Sequence, residues 1–102
     1  MSIYLIGAID IEDKDAYAAY VEAAGASLVE HAAEPLAVDD APLLLEGNLP
    51  GRRIILMRFE TEADMNAWYR SDAYQQAMKH RLAGAKTPFL VAIRGGFSPV
   101  PQ

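Results

Sequence analysis

The sequence predicts one α+β domain of ferredoxin-like layout: βαββαβ order, with a four-stranded antiparallel sheet carrying two helices on one face. Three observations predict it. The 102 residues suit a single core. Apolar strand-like runs alternate with helix-period segments, with no repeat, low-complexity tract or linker between them. The segments also follow each other in the order of the split βαβ unit. The domain is expected over residues 1–96, with 97–102 as an extended tail.

Ile3 to Ile11 is nearly all apolar and rich in β-branched residues, a first strand. Glu12-Asp13-Lys14-Asp15 opens a helix, because acidic residues suit its positive end and Asp13 can cap it. Tyr17, Tyr20, Val21, Ala24, Leu28 and His31 share one face at helical spacing. The helix should run to about Ala33 and stop before Pro35. Leu36–Val38 and Leu43–Glu46 read as a second strand, interrupted by a turn or bulge at Asp39–Pro42. Gly47 to Gly51 is a loop, and Arg53–Glu60 a third strand. Thr61-Glu62-Ala63-Asp64 resembles a capping box and starts a short helix bearing Met65, Trp68 and Tyr69. Ser71 is placed to cap a second helical stretch, with Tyr74, Ala77, Met78, Arg81 and Ala85 on one face. Thr87–Arg94 is the last strand, ended by Gly95-Gly96.

Composition removes several functions. No cysteine is present, which excludes disulfides, thiolate nucleophiles and Cys-ligated metal clusters. Nine Lys and Arg against 14 Asp and Glu leave a net charge of −5, which repels a nucleic-acid backbone. The strand Arg53–Phe59 also lacks the glycines and most of the aromatics of a βαββαβ RNA-binding module. No G-x-G-x-x-G or Walker loop occurs, and no helix follows Gly95-Gly96 to complete a phosphate cradle. No basic leader and no apolar run of membrane-spanning length is present, so the expected location is the cytoplasm and no membrane partner is expected.

The strands are apolar on both faces. Ile3, Leu5 and Ile9 oppose Tyr4, Ile6 and Ala8; Ile55, Met57 and Phe59 oppose Ile54 and Leu56; Phe89, Val91 and Ile93 oppose Leu90 and Ala92. Two helices cover one face only, leaving about eight to ten apolar side chains on the other, at or above what soluble monomers tolerate. A six-residue tail after Gly96 is too short to cover them. The expectation is a homodimer formed through the open sheet face.

Four stretches carry a family resemblance: Ile9-Asp10 with Tyr17-Ala18-Ala19-Tyr20; Leu45-Glu46-Gly47; Phe59 with Ala67-Trp68-Tyr69 and Ser71; and Tyr74-Gln75-Gln76-Ala77 running on to Arg81. From about Ile3 to Gly95 the chain resembles the uncharacterised family labelled domain of unknown function 1330, in the dimeric α+β barrel superfamily. The resemblance implies a sheet that pairs with a second copy. It implies no activity, since the wider superfamily spans cofactor-free monooxygenases, lactone isomerases and haem enzymes.

Arg81 is the sharpest local feature. It falls within about 20° of Tyr74 around the helix axis, on the face that should pack on the sheet. A buried guanidinium needs a carboxylate, carbonyls or an anionic ligand. Its plain reading is an ion pair, as with Glu46, or a snorkelling side chain. Its functional reading is a ligand contact. His31, near the end of the first helix, reads plainly as a cap or a satisfied core histidine and functionally as a base. Tyr20, Trp68 and Tyr74 read plainly as core and functionally as the aromatic lining of a pocket between helices and sheet. In the functional reading His31, Glu46 and Arg81 are the catalytic candidates. Tyr20, Trp68, Tyr74 and Arg81 are then the ligand contacts. Two histidines on different helices make no metal site, and no cofactor is called for. The function expected is binding or conversion of a small apolar or aromatic metabolite, with a non-catalytic interaction module as the alternative.

Overall fold

The computed structural model describes residues 2–97, so most of the expected tail lies outside the described residues. The elements are β1 (Ile3–Ile11), α1 (Lys14–Glu30), β2 (Glu34–Asp39), β3 (Arg53–Phe59), α2 (Glu62–Arg70), α3 (Asp72–Gly84) and β4 (Ala85–Arg94). The strands form one sheet in the order β2-β3-β1-β4, and every neighbouring pair is antiparallel. This is the ferredoxin-like α+β arrangement that the element order predicts.

Local chemistry sets the helix ends. Asp13 accepts hydrogen bonds from the backbone N–H groups of Asp15 and Ala16 at 3.0 and 3.1 Å, capping α1. Thr61 caps α2 by accepting from Asp64 N–H at 3.0 Å. Ser71 ends α2 and starts α3 at once. Its hydroxyl donates to Trp68 C=O at 2.7 Å and accepts from Tyr74 N–H at 3.1 Å. With Ser71 extended (φ −62°, ψ 148°), the second helical layer is therefore split into two helices.

The bounds of α1, β2 and β4 differ from expectation. Helix α1 stops at Glu30 rather than near Ala33. Ala32 takes a left-handed φ of 52°, and Ala33 N–H donates to Leu28 C=O at 3.2 Å, a Schellman closure made without glycine. Strand β2 starts at Glu34 and includes Pro35, which an edge strand tolerates. Its pairing with β3 shifts between Pro35 and Ala37, so the irregularity falls there and not at Asp39–Pro42. The second half of the expected strand, Leu43–Glu46, is irregular, with Leu43 and Leu45 each 90% exposed. Finally, β4 begins at Ala85, so that residue belongs to the sheet and not to the α3 face.

The register divides the sheet. Ile3, Leu5, Ile9, Met57 and Phe59 lie on one side and are buried under the helices with Tyr20, Ala24, Trp68, Tyr74 and Ala77. Tyr4, Ile6 and Ala8 share the other side with Ile54 and Leu56 of β3 and with Phe89, Val91 and Ile93 of β4. Val91 and Ile93 there are 44% and 50% exposed. Arg58 joins this face and pairs with Glu34 at 3.1 Å; Arg94, on the opposite parity, pairs with Glu62 at 2.9 Å.

Helices α1 and α3 cross closely at Gly84. Its C=O accepts from the N–H groups of Glu12 and Asp13 at 2.8 and 2.9 Å, tying the first turn of α1 to the last turn of α3.

Candidate functional site

Most of the residues singled out in the sequence meet in the interior. Trp68 is 1% exposed, and its indole N–H donates to Ser27 Oγ at 3.1 Å. Ser27 in turn donates to Ala24 C=O at 2.6 Å, which accounts for a buried serine on the α1 face. The ring of Trp68 packs on Tyr74 at 4.1 Å between centroids and on Phe59 at 5.3 Å. Tyr20 and Tyr74 share a hydrogen bond between their hydroxyls at 3.0 Å.

Arg81 is 4% exposed and borders this cluster. Its Nη1 donates to Thr87 Oγ1, and the guanidinium lies 5.7 Å over the Tyr20 ring. Burial opposes its charge, but the phenol oxygens of Tyr74 and Tyr20 outweigh that and hold its pKa above the ordinary value. Burial, with the neighbouring Tyr74, drives the Tyr20 phenol far above its usual range.

Glu46 and His31 are placed elsewhere. Glu46 is exposed on the irregular segment between β2 and β3, and among the described residues Arg81 makes no ion pair with it or with any carboxylate. The expected Arg81–Glu46 pair fails because Leu43–Glu46 does not join the sheet. His31 is the half-buried C-cap of α1, its N–H donating to Leu28 C=O at 3.2 Å. The register of the α1 stripe explains this: the buried positions are Tyr17, Tyr20, Ala24 and Ser27, and the helix ends before the next turn.

A groove of about 670 Å³ opens beside this interior. It lies between the end of β1, the first half of α1 and the ends of the β2–β3 connection. Ile9, Ile11, Tyr17, Ala18 and Val21 form its apolar wall; Lys14, Arg52, Arg53 and Asp40 supply its charge. Arg53 grips Asp40 through two bonds, Nε to Oδ1 at 2.7 Å and Nη2 to Oδ2 at 3.1 Å. That contact holds the Asp40 carboxyl below its ordinary value and the Arg53 guanidinium above. The same guanidinium stands 5.3 Å over the Tyr17 ring. Burial raises the Tyr17 phenol, and Arg53 and Arg81 partly counter it. Arg52 has a long contact to Asp10 at 3.9 Å, and Lys14 makes no ion pair among the described residues.

Sequence reasoning missed this groove. Val21 is placed there on one face with Tyr17, Tyr20 and Ala24, yet it is 49% exposed and forms part of the wall. Arg52 and Arg53 belong to no motif in the sequence. The available signal was two adjacent cations entering a strand, opposite a helix start bearing Lys14 and Tyr17. Among the described residues no three His, Asp or Glu side chains converge as a metal site.

Fold and site define a small ferredoxin-like α+β protein with an open, cation-rimmed groove. The chain belongs to the family described as Domain of unknown function (DUF1330), whose model matches residues 2–95. No curated protein matches the sequence. Among solved structures it is similar to a protein of unknown function from Rhodopseudomonas palustris: TM-score 0.78, 17% identity, 95% of this chain and 84% of that one covered. It is also similar to a dimeric ferredoxin-like protein of unknown function from Jannaschia sp. CCS1: TM-score 0.65, 15% identity, 93% and 100% covered. A third is a cofactor-independent oxygenase from Streptomyces nogalater: TM-score 0.64, 5% identity, 96% of each chain covered. At these identities the likeness shows the fold alone.

Proposed function

We propose that the protein is a homodimer, joined through its open sheet face, that binds a small molecule with a ring-sized apolar body and an anionic group in the groove at Tyr17. The observation that carries the binding reading is the groove itself: about 670 Å³, an apolar wall and three cations against one acid. That combination is what small-molecule sites use, apolar area for affinity and a few charges for orientation. The three cations also stand out against a net charge of −5 for the whole chain, so they concentrate local attraction for an anion. The dimer reading is supported by the apolar face of Tyr4, Ile6, Ile54, Leu56, Phe89, Val91 and Ile93, and by the dimeric relatives of the same fold. Binding is better supported than catalysis by His31 with Glu46, because one caps a helix and the other stands on an exposed segment.

The test is a titration with 2-naphthoate, followed by NMR and compared with its neutral methyl ester. Resonances of Ile9, Tyr17 and Val21 should shift with the acid. Arg53→Ala and Lys14→Ala should each weaken binding by about 5- to 10-fold, the loss of one charged contact. Val21→Trp, which fills the groove, should abolish it. An ester that binds as well as the acid, or binding unchanged in Val21→Trp, would refute the assignment.

A further inference from the structure

We propose that Arg81, with Tyr20, Tyr74 and Thr87, forms an inner site for a planar oxyanion of the carboxylate class, behind the Tyr17 wall of the groove. The observation is a buried cation without a counter-charge. Arg81 is 4% exposed, and among the described residues no carboxylate pairs with it. Its Nη1 is taken by Thr87, while its buried Nε has no hydrogen-bond partner among those residues.

The donor inventory points the same way. Arginine carries five N–H donors and no acceptor; Thr87, Tyr20 and Tyr74 add one O–H each. The Tyr20–Tyr74 contact uses only one of the two phenol protons. Against these eight donors stand only three hydroxyl oxygens, of which Thr87 Oγ1 already accepts from Arg81 and the phenol oxygens of Tyr74 and Tyr20 lean on the same guanidinium, and the cluster carries one net positive charge. Neither burial nor the neighbouring phenol favours a tyrosinate at Tyr20 that would neutralise it. The Tyr20 ring face offsets part of the charge, but among the described residues nothing accepts the buried Nε–H. Two coplanar oxygens can, since the guanidinium edge that includes Nε matches a carboxylate in two parallel bonds.

Such a carboxylate can come from two sources. It can be a free small acid, or the acid group of the molecule in the groove, whose Tyr17 wall stands 5.4 Å from the Tyr20 ring. Only the second source rests on the groove reading above.

The experiment follows the Arg81 Nε–Hε resonance of the full chain through titrations with sodium acetate and 2-naphthoate, with sodium chloride at matched ionic strength as reference. A saturable shift is expected with a carboxylate and not with chloride. Arg81→Lys should weaken the carboxylate at least about 10-fold, because an ammonium cannot make the paired bonds. A response to acetate assigns the site to a free acid. A response to 2-naphthoate alone, lost in Val21→Trp, assigns it to the groove's own ligand. If groove resonances move while Arg81 Nε–Hε does not, the inner site is refuted and the groove reading survives. If acetate moves Arg81 while the groove stays silent to 2-naphthoate, the groove reading fails and the inner site stands. No saturable response at Arg81 to either acid overturns the proposal, and because this reading needs no variant, it holds even if Arg81→Lys fails to fold.

Discussion

Replacing Gly84 by alanine should destabilise the protein, whereas the same change at Gly25 should stabilise it. A Cβ at Gly84 would lie 2.8 Å from Ala16 Cβ and 3.0 Å from both Asp13 O and Tyr17 N. Two of those neighbours are backbone, and the third is a Cβ with no torsion to rotate away. Helix α1 must shift, straining the bonds from Glu12 and Asp13 N–H to Gly84 C=O. Overpacking of this kind costs about 1–3 kcal/mol. Weakening a backbone hydrogen bond adds about 0.5–1 kcal/mol, and Gly84 ends its helix, so improved helix propensity returns little. We expect a loss of about 2–3 kcal/mol, a fall in Tm of roughly 8–24 °C for a domain of this size. A Cβ at Gly25 meets nothing within 4 Å in the middle of α1. Alanine there should add about 0.5–1 kcal/mol by restricting the unfolded chain. Urea unfolding at one fixed protein concentration measures both, since any self-association would make apparent stability concentration-dependent. A Gly84→Ala protein as stable as its parent, or a Gly25→Ala protein less stable, would show that the α1–α3 crossing is not as close as described.

Further expectations follow from single contacts. Ser27→Ala strands the Trp68 indole N–H in the core and should cost about 1–3 kcal/mol; in a Trp68→Phe background the same change should cost much less, a coupling that a double-mutant cycle reads directly. Val91→Asp places a charge on the open sheet face and should shift the protein to a monomer in light scattering, whereas a dimeric mass in Val91→Asp would count against pairing through that face. The Asp40 carboxyl is depressed below its reference value of 3.8 by Arg53. Its contribution to stability is therefore present above the unfolded value and is lost as pH falls through the lower, folded value. Asp40→Asn should flatten that part of an acid titration of Tm by removing a small contribution at neutral pH, so that parent and variant converge in acid.

Much of the architecture was written in short-range chemistry. Asp13, Thr61 and Ser71 cap helices because each is a short polar side chain ahead of a helical pattern, and such bonds are local. The two-faced apolar strands were equally legible, because alternation along a strand needs no knowledge of its neighbours. Leu43–Glu46 misled because three leucines in a row resemble a strand until its pairing is asked for. Strand β3 has only two edges; Glu34–Asp39 takes one and β1 the other, which leaves Leu43–Glu46 unpaired.

By itself the sequence determined the element order, the helix caps, the absence of thiol chemistry and the burial of Tyr74 and Trp68, all consequences of spacing and side-chain type. Only the tertiary structure decided which polar groups meet. Glu46 was placed on the exposed segment between β2 and β3, away from Arg81, His31 became a helix cap, and Arg81 was left buried beside two phenols with no carboxylate partner among the described residues. It also assembled the groove from Lys14, Tyr17, Asp40 and Arg53, residues distant in sequence that the sheet order and the Gly84 crossing bring to one end of the domain. Periodicity reports which way a side chain points along one element; contacts between elements depend on register and crossing distance, which no single segment encodes.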